Sequence, residues 1–423
     1  MLNAQDNELM CRVGPGTPMG EVLRRFWQPI LISEDLPHPD CDPKEVRLLG
    51  EDFVAFRDSD GEIGFLEALC PHRRAPLFYG RNEEHGLRCI YHGWKFDAAG
   101  ACVDMPSEPA QYEFSKKVRP IGFPTREWGG IIWAYIGPQD RIPELPELEY
   151  CRVPASHRNL VKYNQECNFV QATEGDIDSS HIGFLHTRLD QKTAPASKEM
   201  LWRVNDQAPR WIIQPTDYGI MLAAQRNAEE DTYYWRINQW LMPYYTMIAM
   251  DLEQKRGHGH IWVPVDDEHT DVWCVIWSPV EPLTQKERDE ILGGPSPHIA
   301  SLDPATGKLR ATKSNHFLQD RHVQRTQTFT GILGVREQDT AVVEGMGAIA
   351  DRTKEHLGTS DSAIIAMRRY LVNSAKAFVE GREPQEPYDG GLYRVRAWSY
   401  ELSRNIDFME SDKVRELMGT MVV

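Results

Sequence analysis

Cys70-Pro71-His72 is followed by Cys89-Ile90-Tyr91-His92, a C-x-H-x16-C-x2-H pattern in which each half supplies one thiol and one imidazole. The two halves can act together only if the fold closes two short loops over one another. Two thiolates suit one iron of a [2Fe-2S] cluster, and two neutral imidazoles on the other iron raise its potential. Two cysteines and two histidines also make a structural zinc site. Zinc fingers usually keep the cysteines together and the histidines together, so the mixed pairs favour the cluster.

The flanking sequence is that of antiparallel β structure. Glu45 to Leu66 alternates apolar runs with turn signals, with Asp58-Ser59-Asp60-Gly61 where a hairpin would turn. Asp97-Ala98-Ala99-Gly100 marks another turn, and Gly129 to Ile136 reads as a buried strand. The prolines from Pro138 to Pro154 suit a linker. Three segments are expected: 1–38 packing on a catalytic domain, an all-β domain over 39–150, and an α+β domain over 151–423. The last should hold a helix near Asn168 to Leu185, strands at Ile220 to Ala224, Tyr233 to Trp240 and Val272 to Trp277, and a long helix from Asp361 closed by Gly381. Pro295 to Arg325 lacks periodicity and reads as a long surface loop.

With 47 Lys and Arg against 63 Asp and Glu, the net charge of −16 argues against nucleic acid as a partner. Eight cysteines spread over 423 residues favour a reducing compartment. The first residues lack a basic leader, and no apolar run approaches the roughly 20 residues of a spanning helix. A cytoplasmic protein with no membrane partner is expected.

A second constellation lies between Asn168 and His186. On a helix Asp178 and His181 share a face, so the carboxylate can orient the imidazole as metal-bound histidines usually require. His181 and His186 would diverge on an ideal helix and can share one metal only if the backbone breaks between them, which Gly183 permits. Two histidines and one carboxylate on one face of an iron leave positions open for dioxygen and substrate. Asn168 and Gln171 read either as amides near that iron or as buried structural amides. In Tyr233 to Trp240, strand alternation sets Tyr234, Arg236, Asn238 and Trp240 on one face, a substrate pocket or a solvated sheet face. Arg203, Arg210 and Arg226 are rival partners for an anion.

Through Cys70-Pro71-His72-Arg73 and Cys89-Ile90-Tyr91-His92-Gly93-Trp94-Lys95-Phe96-Asp97, the chain resembles the Rieske family. The likeness extends from Arg12-Val13-Gly14-Pro15-Gly16 to the C-terminal helix and is closest to phthalate 4,5-dioxygenase-like oxygenase components. The resemblance implies a Rieske domain with Cys70, His72, Cys89 and His92 as cluster ligands, and a helix-grip catalytic domain, an antiparallel sheet around a long helix. It implies His181 and His186 on a mononuclear Fe(II). The segment Asp351 to Asp361 looks like the one that carries the family's ligating aspartate, which points to Asp361, although Ser360-Asp361 alone reads as a helix cap. Asp178 matches the family's bridge between a cluster histidine and an iron histidine of neighbouring subunits.

The function implied is that of a terminal oxygenase that takes electrons from a separate NAD(P)H-dependent flavin and iron–sulfur reductase. With dioxygen it would hydroxylate, by cis-dihydroxylation, an aromatic acid such as a phthalate or substituted benzoate, within a homotrimer or stacked trimers. No G-x-G-x-x-G follows a strand, in keeping with a reductase on another chain. The alternatives are O-demethylation of a methoxylated aromatic acid and a non-enzymatic Rieske electron carrier.

Overall fold

The computed structural model describes residues 2–189, 197–249, 252, 256–288, 300–303 and 305–418. Two short helices, α1 (Ala4–Cys11) and α2 (Pro18–Leu23), lead into strand β1 (Gln28–Ile32). A three-stranded sheet follows, built from β2 (Lys44–Leu48), β3 (Glu51–Arg57) and β4 (Ile63–Glu67). The hairpin between β3 and β4 turns where expected, with Gly61 at φ +88° and the Asp58 carboxylate accepting from the N–H groups of Asp60 and Glu62.

A four-stranded sheet comes next: β5 (Arg81–Asn82), β6 (Leu87–Arg88), β7 (Lys95–Phe96) and β8 (Cys102–Asp104). It carries the two Cys/His loops. Then β9 (Thr125–Trp128) and β10 (Ile131–Ala134) form a hairpin. Gly129 and Gly130, expected inside a strand, are its turn, because both take positive φ. Strand β1 pairs with β10, so the end of the 1–38 segment completes this small sheet as well as packing on the rest of the chain.

The larger part is one antiparallel sheet. Its path runs β11 (Arg158–Gln165), β17 (Thr270–Trp277), β16 (Gly257–Pro264), β15 (Tyr245–Ile248), β14 (Thr232–Leu241), β13 (Gly219–Asn227), β12 (Arg210–Thr216), with β18 (Trp398–Ser403) also on β14. Helices α3 (Phe169–Ile177) and α5 (Ser362–Val379) pack against it, and α4 (Val335–Gly345) packs on α3. Helix α5 buries Ala363, Met367, Leu371, Val372 and Ala375 in the main core. It ends as expected at Gly381, where the N–H groups of Gly381 and Arg382 return to the carbonyls of Phe378 and Ala377. Tyr234, Arg236, Asn238 and Trp240 are all buried, but so are Trp235, Ile237 and Gln239 between them, so neither face of this part of β14 is solvated. Of the expected loop over 295–325, residues 295–299 and 304 lie outside the described residues, while Arg321–Thr326 forms a short helix.

Among the described residues no helix is long and apolar enough to cross a membrane.

Candidate metal centres

The first centre is made by two tight turns. The Cys70 N–H bonds to Ala75 O and the Arg74 N–H returns to Cys70 O; the Cys89 N–H bonds to Trp94 O and the Gly93 N–H returns to Cys89 O. Gly93 sits at φ +78°, which the second turn requires. Cys70 and Cys89 are buried, and the His72 and His92 rings lie 4.4 Å apart at the edge. Trp94 stacks on His72 at 4.5 Å and donates its indole N–H to Ser107, which locks the ring plane. Desolvation and the neighbouring His72 hold His92 below the ordinary imidazole value, a shift toward the neutral form that a metal ligand needs. The two predicted cysteines thus come together in the interior, and the two predicted imidazoles come together nearer the surface.

The second centre starts from helix α3. The helix stops earlier than predicted, at Ile177, and Asp178 leaves it in extended conformation. Asp178 Oδ1 accepts the Ser180 N–H at 2.6 Å, and a single 3-10 turn follows over His181–Gly183. The chain breaks again at Phe184, and His186 folds back until His181 Nε2 and His186 Nε2 stand 3.1 Å apart. Two nitrogens about 2.1 Å from one ion and about 90° apart lie about 3.0 Å from each other. Asp178 and His181 therefore meet, at 3.4 Å, through a turn rather than along a helix face.

The carboxylate that joins them is Asp339, not Asp361. Asp339 Oδ1 lies 3.3 Å from His186 Nε2 and 3.6 Å from His181 Nε2, and among the described residues these three form the group able to hold a metal. Asp361 instead accepts the Gly358 N–H at 2.6 Å, closing the 3-10 turn Thr359–Asp361 just before α5, and makes no cap bond to α5 itself. The expected ligand lies one helix too late in the chain. Asp339 sits inside α4 among Arg336, Glu337, Gln338 and Thr340, all buried. A run of five polar residues reads in sequence as a solvated helix face, and only its burial reveals the site.

Sequence reasoning also missed the residues that orient the ligands. Gln338 Nε2 donates to Ile332 O, so its Oε1 must accept from His186 Nδ1, at 2.7 Å, leaving Nε2 free toward the metal position. Burial opposes the charge on Asp339, but His186, Arg336 and His181 outweigh it and push its pKa down to about 2. Burial likewise opposes protonation of His181, and Asp178 and Asp339 raise its pKa all the same, with Arg236 close enough to act against them.

Asn168 and Gln171 do structural work. Asn168 caps α3 through Val170 N–H and donates to Cys11 O and Asp267 O. Gln171 donates to Val343 O and Gly347 O and accepts from Ala350 N–H, pinning α3 to the end of α4. Both amides are spent on backbone. Asn238, expected in the pocket, is engaged too: it donates to Asp176 O and accepts from Ala249 N–H. Of the rival arginines, Arg226 donates to Ser179 O, Ser179 Oγ and Asp206 O, which fixes the turn that carries Asp178. Burial and the Arg236 cation pull its guanidinium down to about 10.

Behind this centre, Asp176 Oδ2 accepts from Thr246 Oγ1 at 2.6 Å, His260 Nδ1 at 2.6 Å and Trp262 Nε1 at 3.1 Å. Burial disfavours charge on His260, but Asp176 raises its pKa to about 9. That exceeds the unfolded value of about 6.5, so the pair stabilises the fold fully below pH ~6.5 and loses that contribution as pH rises through 9. His260→Gln is expected to cost of order 3 kcal/mol at pH 6 and clearly less at pH 9.5. Unfolding midpoints of the variant and wild type at the two pH values check this; an equal gap at both would contradict it.

Residues 26–119 match the family of the Rieske [2Fe-2S] domain, and residues 134–412 match the family described as LigXa C-terminal domain like. The chain belongs to the Rieske non-haem iron oxygenases. It is 39% identical over 420 residues to the phthalate 4,5-dioxygenase oxygenase subunit of Pseudomonas putida, covering 97% of this chain and 94% of that one. It is 37% identical over 391 residues to the 3-chlorobenzoate-3,4-dioxygenase oxygenase subunit of Comamonas testosteroni, covering 89% of each. The structure of NdmA from Pseudomonas putida CBB5, a mutant with theobromine, shares the fold at TM-score 0.60 and 19% identity over 88% of this chain and 96% of that one. This Rieske oxygenase accordingly uses a [2Fe-2S] cluster and a mononuclear iron.

Proposed function

We propose that this Rieske oxygenase hydroxylates an aromatic carboxylate, a phthalate or substituted benzoate, with His181, His186 and Asp339 holding the mononuclear iron and Cys70, His72, Cys89 and His92 the cluster. The observation that carries this reading is that His181 Nε2, His186 Nε2 and Asp339 Oδ1 lie within 4.8 Å of one another, a set of two histidines and one carboxylate that would hold an iron and leave it positions for reactants. When bound, the cluster supplies electrons singly and the mononuclear iron activates dioxygen. The relatives' description as dioxygenase oxygenase subunits supports both the substrate class and a separate reductase.

The chain's own residues set up the reaction. Gln338 holds the proton on His186 Nδ1, and Asp178 faces His181 Nδ1, so both imidazoles present Nε2 to the metal. Arg236, buried on β14 and electrostatically felt at His181, lies where a substrate carboxylate would be held beside the reacting ring. Arg236→Gln is expected to raise KM for an aromatic acid about 10- to 100-fold. Steady-state kinetics on the acid and on its neutral methyl ester would show the loss for the acid alone; an equal loss for both would remove Arg236 from this role.

Asp178 is the bridge to a cluster histidine of a second copy, in a ring of at least three chains. Ile90 and Tyr91, 60% and 53% exposed beside His92, and Phe184 and Phe329, each 50% exposed beside the second centre, support such a contact. Mass measurement of the native assembly tests the ring. For the reaction, iron-loaded protein is combined with a reductase, NADH, labelled dioxygen and a panel of phthalates, benzoates and methoxybenzoates. A ring product carrying labelled oxygen is expected; release of formaldehyde from a methoxybenzoate would make the chain a demethylase instead. NADH consumption that follows cluster turnover with no labelled product from any acid would contradict the proposal.

A further inference from the structure

The structure assigns to Arg336 the task of holding Asp339 to ligation through one oxygen, so that the metal keeps its remaining positions for reactants. The inference rests on the reading of His181, His186 and Asp339 as ligands. Asp339 turns Oδ1 toward the two imidazoles, and its other oxygen, Oδ2, accepts from Arg336 Nη1 at 3.2 Å. The same Nη1 lies 3.4 Å from Asp176 Oδ1. One guanidinium nitrogen thus bridges two buried carboxylates, one of them at the metal position and the other anchored in the sheet.

The clamp is rigid because Arg336 has nowhere to go. Its guanidinium lies 5.2 Å over the Trp262 ring, and Nε donates to the Tyr163 hydroxyl at 3.5 Å. Asp176, the far end of the bridge, is held by Thr246 on β15 and by His260 and Trp262 on β16. Arg336, Asp176 and Asp339 are all buried, so water cannot replace a broken contact. For Oδ2 to turn and ligate as well, it would have to leave Arg336, and a buried guanidinium would lose half of its carboxylate contacts. One-oxygen ligation leaves three of six octahedral positions open, whereas two-oxygen ligation leaves two. Arg336 is therefore a positioning residue: it acts on the metal only through Asp339.

The test uses the full chain with its cluster intact and cobalt(II) in place of the mononuclear iron, so that X-ray absorption at the cobalt edge sees this site alone. The wild type is expected to show one carboxylate oxygen bound. In Arg336→Gln a second carboxylate oxygen is expected to join. Arg336→Lys, which keeps a cation beside Oδ2, is expected to fall between them. Two carboxylate oxygens in the wild type would overturn the inference while leaving the ligand set standing, and this result does not depend on any variant folding. Identical coordination in wild type and Arg336→Gln would also overturn it. Cobalt bound away from the two histidines would overturn both the inference and the reading on which it rests.

Discussion

Asp339→Ala is expected to abolish product formation, by more than about a hundredfold, and to cut bound mononuclear iron while the cluster's absorption and reduced-state EPR signal stay unchanged. The substitution removes one of three converging donors, and two histidines alone offer neither the charge nor the geometry to keep the ion. Asp361→Ala is expected to retain both metals and activity within about twofold. Among the described residues its carboxylate accepts the Gly358 N–H and no other hydrogen bond, and losing such a contact costs about 1 kcal/mol. Iron-to-protein ratios, measured with the cluster counted separately, distinguish the two acids. Iron loss in Asp361→Ala with retention in Asp339→Ala would reverse the assignment.

Asp178→Asn is expected to fold, to retain both kinds of iron, and to lose turnover by about a hundredfold or more. Three facts lead there. Asp178 faces His181 Nδ1 at 3.4 Å; its side chain is 21% exposed, so it reaches the surface that a neighbouring copy would cover; and its Oδ1 already accepts the Ser180 N–H that shapes the turn. An asparagine oxygen can still accept that N–H, so the turn survives. The neutral amide is a poorer acceptor for imidazole N–H groups, and burial no longer has a charge to oppose. Rapid-mixing measurement of cluster reoxidation, with substrate and dioxygen present, should then show electrons held on the cluster. Loss of the mononuclear iron in this variant would make Asp178 a support for His181 only.

How far the sequence discloses this molecule depends on how local each signal is. The cluster motif is complete within two turns, and Gly93 and Trp94, which shape the second of them, are its neighbours in the chain; all four proposed ligands follow from it. Gly381 was legible as the end of α5 for the same reason. The iron histidines were legible as a pair, but the helix expected through Asp178 gives way to a turn, because the side chain of Asp178 competes with the helix for Ser180 N–H. Asp361 and Asp339 show where local reading fails. An acid at a helix start looks the same whether it caps the helix or binds iron, and an acid buried inside α4 looks like one on its wet face until the tertiary structure is seen. Arg336 and Gln338 were hidden by the same run of polar residues. Asn168 and Gln171 had two readings, and the need to pair buried backbone groups decided for the plainer one.

In the function proposed here the chain carries a cluster and an oxygen-activating iron held by His181, His186 and Asp339. A single-turnover experiment tests it most directly: the iron-loaded protein is chemically reduced, freed of reductant, and mixed with an aromatic acid and labelled dioxygen without any reductase. Labelled product up to about one per chain is expected from the wild type, and none from Asp339→Ala although its cluster is equally reduced. A cluster that reoxidises with no labelled product in the wild type, or with the same yield in Asp339→Ala, would contradict it.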